Sequence, residues 1–421
     1  MDARDEFLRE AIWHGPRDLA EAILTRHPEI AEDDIFVAAT LGDDEAVRRL
    51  IADDPRSATA KGGPRECDAL TYLCFSKYLR LDRTRSADFV RTATALLDAG
   101  ASANTGFWEP DHQPAPEWES AIYGAAGVAF HPEITHLLLE RGAEPNDEET
   151  PYHSPETYDN SALHVLVESG KLTADSLTTM LLRKADFHDL KGIRYLLEHG
   201  ADPNRATRWR VTAFQQAVRR DNALANIEAL LDHGADPRTA IALAARRGRA
   251  DVLDAIERRG VAIEVQGVDA SIAACARDSS EAAASPELLA QGGRLLAEFA
   301  GNNNARGVAR LLNLGVPVDA RYAGDGYFGI AKGSTALHVA AWRAAHDAVR
   351  LLIERGAEVN ALDGEGRTPL ALAVRACVDS YWMERRAPES VKALLDAGAS
   401  TTGVPYPSGY AAVDELLRRS R

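Results

Sequence analysis

One short phrase recurs along this chain of 421 residues. In full it reads Leu-Leu-x-x-Gly-Ala-x-x-Asn, and it occurs at 96–104, 138–146 and 196–204, with isoleucine in its second place at 352–360. Looser copies end at Gly234-Ala235, Gly260-Val261, Gly315-Val316 and Gly398-Ala399. Paired leucines followed by glycine describe the buried face and the left-handed stop of one helix. A chain that closes its helices the same way so often stacks them as a solenoid. Each unit then packs on its neighbours, and function belongs to a surface rather than to one central pocket.

The unit Ser334–Asn360 shows the pattern most fully. Ser334-Thr335 offers hydroxyls to cap a helix that opens Ala336-Leu337-His338-Val339-Ala340-Ala341. Leu337, Ala340 and Ala341 share one helical face, and the alanines let a second helix approach closely. That second helix is expected from about Asp347 to Glu354, closed by Gly356. Thr368-Pro369-Leu370 then opens the next unit, with proline where its missing N–H does no harm.

These residues resemble the ankyrin repeat. The family pattern Thr-Pro-Leu-His-x-Ala-Ala, then Leu-Leu-x-x-Gly-Ala-Asp-x-Asn, is matched by Ser334–Asn360 almost throughout. Thr368–Ala373 matches its opening, and Ser161-Ala162-Leu163-His164 is a third copy. Thr212-Ala213-Phe214 and Asp68-Ala69-Leu70 are weaker openings, and residues 5–29 and 34–55 form divergent N-terminal units. The resemblance implies an all-α solenoid of about ten helical pairs with long β-hairpin-like finger loops. The expected organisation is one solenoid over 1–421: divergent repeats to 104, acidic aromatic fingers at 105–160, and further repeats over 161–421. A degenerate stretch is expected near 262–300. The resemblance also places His164 and His338 in a structural role, bonding neighbouring turns.

The closing glycines should return every ~33 residues for plain units of this kind. From Gly100 onward the intervals are instead 42, 58, 34, 26, 55, 41 and 42. The extra residues lengthen the fingers, and these are rich in aromatics. They hold Phe107-Trp108, Trp118, Tyr152, Tyr158, Trp209-Arg210, Tyr322 and Tyr327-Phe328, with Tyr381-Trp382 in the last insert. Trp342 sits where the family pattern is variable and open to partners. Trp, Tyr and Arg dominate binding hot spots. Trp108, Trp118, Tyr158, Trp209, Arg210, Tyr322, Tyr327 and Trp342 are therefore the expected partner-binding residues, on a concave face and its fingers.

Charge sharpens that expectation. The formal net charge is -16, and the whole excess lies early: residues 1–160 hold 32 acids and 15 bases. Residues 98–159 carry 13 acids against the single base Arg141. Such a face suits a basic partner protein and repels nucleic acid. An acidic inhibitor or immunity-like protein that shields a basic protein is the sharper form of this expectation.

Catalytic signatures are missing. Gly324-Asp325-Gly326-Tyr327-Phe328-Gly329 spells G-x-G-x-x-G, but no hydrophobic strand precedes it, so it reads as a hairpin tip rather than a dinucleotide loop. The sequence contains no H-E-x-x-H, no G-x-S-x-G and no CxxC pair. No metal, cofactor or catalytic residue is expected, and the chain is read as non-enzymatic. The alternative is an enzyme whose active site lies in a finger insertion, such as 105–160 or 321–333. Four scattered cysteines, no apolar run of about 18 residues and no basic, apolar leader at Met1–Glu6 point to a monomeric cytoplasmic protein without a membrane span. The excess of arginine over lysine and the abundant alanine suggest a GC-rich, bacterial genome.

Overall fold

The computed structural model describes residues 2–113, 115–380 and 382–420. They form two compact units, Met1–Ala217 with Ala229–Ala235, and Val218–Glu228 with Asp236–Arg421. Each unit is built from short antiparallel helix pairs, so the all-α, helix-pair architecture stands. In unit 1 the pairs include Ala3–Ala11 with Arg17–Arg26 and Ile35–Leu41 with Asp44–Asp53. In unit 2 they include Gly292–Gly301 with Ala305–Asn313 and Ala336–Trp342 with His346–Glu354.

Hydrogen bonding explains the recurrent phrase. After the helix His346–Glu354, Gly356 takes a φ of 80°, and the Ala357 N–H donates to the Leu352 carbonyl at 3.0 Å. The same closure joins Ala101 to Leu96, Ala143 to Leu138, Ala201 to Leu196 and Ala399 to Leu394. It satisfies a carbonyl that the end of a helix would leave orphaned. The first leucine of each pair, from Leu96 to Leu394, is fully buried. The asparagine of the phrase ties one repeat to the next. Asn104 Nδ2 donates to the Gly142 carbonyl at 3.0 Å, while the Glu144 N–H donates to Asn104 Oδ1 at 2.8 Å. Asn360 does the same with Gly398 and Ser400.

His338 has the expected structural role. Its Nε2 lies 3.0 Å from the Ala361 carbonyl and 3.1 Å from that of Arg367, so Nε2 carries the proton. Nδ1 then accepts from the Thr335 N–H at 3.2 Å, completing a capping box. His164 is only half-buried and stacks on Tyr195 instead, with ring centroids 3.9 Å apart.

The stretch 105–160 is less loop-like than its sequence suggests. Only 106–120 is a hairpin, made of strands β1 (Gly106–Glu109) and β2 (Glu117–Ser120). Helical turns follow at Ala121–Tyr123, Gly124–Val128, Pro132–Glu140 and Glu149–His153. Ala121, Ile122, Tyr123, Ala125, Ala126 and Val128 are all buried, so apolar burial draws this segment into helix. Around 262–300, the helix Val268–Ala276 packs on Ile241–Arg246 and on Ala305–Asn313. All four cysteines are buried and unpaired.

Candidate functional site

The hairpin of unit 1 has two chemically different faces. A Cβ on Gly106 would lie 2.3 Å from the Glu119 carbonyl oxygen, so glycine lets the strands close. The register sets Trp108 opposite Trp118 and Phe107 opposite Glu119. Alternation along a strand then sends the two tryptophans to one face and Phe107, Glu117 and Glu119 to the other. On the first face the indoles meet edge to face, with centroids 5.6 Å apart. Trp108 is 63% exposed and Trp118 is half-buried. Beside them lie Lys61 and Arg65, and Arg65 pairs with Glu109.

Of the second face, Glu117 lines a cleft of about 500 Å³, whereas Phe107 and Glu119 are buried and not on its walls. Its walls are His112 and Glu117 of the hairpin, Glu149, Tyr152 and His153 of the helix Glu149–His153, and Glu148, Arg208 and Trp209. Tyr152 and Trp209 approach to 5.6 Å between ring centroids. Arg208 pairs with Glu148 and lies over the Trp209 ring at 4.7 Å, while Arg183 covers the Tyr152 ring at 4.0 Å. An adjoining cleft of about 500 Å³ runs past Asn146, Asp147 and Ser176 to the same Trp209.

The electrostatics of the cleft are uneven. Burial opposes charge on His153, but its bonds to Glu149 at 3.0 Å and Glu156 at 3.1 Å outweigh this and raise its pKa to about 9. Glu119 is the opposite case. It is 1% exposed, and neither carboxylate oxygen has a hydrogen-bond partner among the described residues. Burial, then the neighbouring Glu149, pushes its carboxyl up to about 7.

The other expected contact residues scatter. Tyr158 is well exposed, and its hydroxyl donates to the Phe187 carbonyl at 2.9 Å. Trp209 and Arg210 are exposed on a tight turn, where Arg210 has a φ of 59°. In unit 2, Tyr327 is exposed at the tip of the glycine-rich turn, with the Arg220 guanidinium 3.3 Å from its ring centroid. Asp325 and Ile330 pair across that turn, giving it the hairpin form. Two residues expected at the surface are inside instead. Trp342 is 8% exposed because the finger folds back over it, and its Nε1 donates to the Phe328 carbonyl at 2.7 Å. Tyr322 is buried and donates to Glu298 at 3.2 Å. Trp382 is buried, and Tyr381 lies outside the described residues.

Unit 2 also buries a charge network that sequence reasoning missed. Asp221 lies between Arg247, whose Nε donates at 2.6 Å, and Arg343, whose Nη2 donates at 2.7 Å. Glu298 joins Arg247 at 3.0 Å, and Asn302 donates to Asp221 at 3.0 Å. Burial resists ionisation of Asp221, but the two arginines hold it well below the usual carboxylate range. These partners lie far apart in sequence, so no local signal marks them. Glu119 was within reach: Glu117-x-Glu119 on a strand and Glu149-x-x-x-His153 on a helix each put charges on one face. Among the described residues no group of three His, Cys, Asp or Glu is placed to hold a metal ion. No described helix is long and apolar enough to cross a membrane.

Comparison with known proteins bears on the scaffold. The family model for ankyrin repeats matches residues 295–403 in three copies. Among solved structures, the chain is similar to the crystal structure of the human ASB11 ankyrin repeat domain. The identity is 22% over 59% of this chain and 98% of that one, with a TM-score of 0.26. No curated protein matches the chain.

Proposed function

Starting from an ankyrin-repeat protein, a scaffold for protein–protein contacts, we propose that this chain binds a basic partner protein through unit 1. The observation that carries the reading is the hairpin 106–120. It offers the exposed Trp108–Trp118 pair, and it lies within the stretch 98–159, which holds 13 acids and one Lys or Arg. Exposed Tyr158, Trp209 and Arg210 of unit 1 extend that surface. Aromatic side chains would supply contact energy and the carboxylates would speed encounter and select the sign of the partner. The sharper form is an inhibitor or immunity-like shield, working without a catalytic step as a monomer in a reducing cytoplasm. The four buried, unpaired thiols accord with that compartment.

The test is equilibrium binding of the full chain to a panel of small basic and acidic proteins, from low to high salt. The reading expects binding to basic proteins only, weakening steeply with salt. Equal binding to both panels, or salt-independent affinity, contradicts it.

A further inference from the structure

Four of the six tryptophans of this chain lie under an arginine of the chain itself. Arg65 stands 5.4 Å from the Trp13 ring centroid, Arg208 4.7 Å from that of Trp209, Arg375 4.9 Å from Trp342 and Arg343 4.4 Å from Trp382. Trp108 and Trp118 carry no such cation among the described residues, although Trp108 is the most exposed tryptophan of all. The pair is set before any partner arrives. A Cβ on Gly106 would come within 2.9 Å of Trp118 Cζ2, so the missing side chain seats that indole against β1. The edge-to-face contact uses one ring face and leaves the others open. Both indoles line a cleft of about 480 Å³ that the hairpin shares with residues 61–66. Its walls carry Arg9, Lys61 and Arg65 against Glu66, Glu109 and Asp111. Arg65 is committed to Glu109 and to the rings of Trp13 and Phe107. Glu66 and Asp111 are exposed and form no ion pair among the described residues. The formal wall charges cancel, so selection falls to the open indoles and to the acidic stretch that surrounds them.

We propose that this cleft receives one arginine side chain of the partner, its guanidinium stacked on the open face of Trp108 with Asp111 as counter-charge. The proposal rests on the basic-partner reading above. A ring quadrupole draws a cation to its face, and tryptophan does so most strongly. A guanidinium suits the site better than an ammonium, because it is flat and more weakly hydrated and gives up less on stacking. A neutral side chain of the same length would make the same contact without that attraction. The 13 acids of the stretch 98–159 favour a cation at longer range, where Lys61 on the opposite wall opposes it. The partner thus supplies to the hairpin what Arg208 supplies to Trp209 from within the chain.

The experiment follows the indole N–H signals of the full chain by NMR during titration with the peptide acetyl-Gly-Arg-Gly-amide. Matched peptides carry lysine, or the uncharged isostere citrulline, in place of arginine. Trp108→Phe and Trp118→Phe assign the two hairpin signals. The arginine peptide is expected to move those two signals and to leave that of Trp209, already under Arg208, in place. It should bind about fivefold more tightly than the citrulline peptide, with the lysine peptide between them. Trp108→Ala should reduce the arginine peptide to the citrulline level, and Lys61→Gln should strengthen it severalfold by removing a like charge. Equal binding of the arginine and citrulline peptides, a lysine peptide as tight as the arginine one, shifts elsewhere than at the hairpin, or an unchanged Trp108→Ala titration overturns the proposal. The comparison of peptides on the unaltered chain needs no variant, so a misfolded Trp108→Ala chain leaves the test intact. If no peptide binds while basic proteins still bind in a salt-sensitive way, this proposal falls and the broader reading stands.

Discussion

Asp221 in unit 2 and Glu119 in unit 1 are buried to the same degree, 2% and 1% exposed. Asp221 has two arginines and an asparagine on its carboxylate, whereas Glu119 has no hydrogen-bond partner among the described residues. Their pKa values move in opposite directions, Asp221 down and Glu119 up to about 7. A fully partnered buried ion belongs to the architecture, since removing any member strands the rest. An unpartnered one leaves an interaction open. The difference sets a buried carboxylate held charged by its neighbours against one held neutral by its burial.

The largest expected effect follows from that contrast. Asp221→Asn would leave Arg247 and Arg343 buried without their shared counter-charge and destabilise unit 2 by about 3–5 kcal/mol. Amide hydrogen exchange resolved by unit should show the loss in unit 2. A neutral outcome would break the comparison from the unit 2 side. Asp221 stability is present above its unfolded pKa and is lost as pH falls through the acid range, because the folded pKa is depressed.

Glu119 runs the other way. Its folded pKa lies above the unfolded value, so the native state keeps a proton that the unfolded chain releases. Stability is therefore highest in acid and falls as pH rises through about 7. Replacing it by glutamine should remove that fall, a difference of about 2–3 kcal/mol between pH 5 and pH 8. Urea unfolding of the two proteins at both pH values measures it, and parallel pH profiles would count against an uncompensated Glu119.

A smaller effect serves as the control in which the units should agree. Asn104→Ala in unit 1 and Asn360→Ala in unit 2 each remove the same inter-repeat bridge. Each should cost about 1 kcal/mol. Unequal costs would mean that the repeats of the two units are tied together differently. The smallest stability effect is expected for the Trp108→Ala/Trp118→Ala double variant, within about 0.5 kcal/mol because the pair is largely at the surface. Its affinity for a basic protein should nonetheless fall tenfold or more, as read by equilibrium binding. Full affinity would remove the hairpin from the proposed surface.

The scaffold was legible because its signals are local. A leucine pair, a glycine and an asparagine within nine residues specify one helix end, its closure and its tie to the next repeat. The hairpin was legible only in part. Its aromatics stand out in sequence, but which of them are exposed depends on how each finger folds back. Trp108 projects, while Trp342 is capped by Phe328 and overlain by Arg375. Nothing near Trp342 in sequence announces a finger 14 residues earlier closing over it. Glu119 is buried by a helix that begins at Glu149, and Asp221 meets an arginine at 343. Such pairings are set by the stacking of repeats rather than by any one segment.

The most direct test of the account is the titration of the Glu119 carboxyl in the full chain, followed by carbon NMR of selectively labelled glutamate. The Glu119→Gln spectrum assigns the signal. The account predicts a midpoint near 7 in the unliganded protein. A midpoint in the ordinary carboxylate range would contradict it.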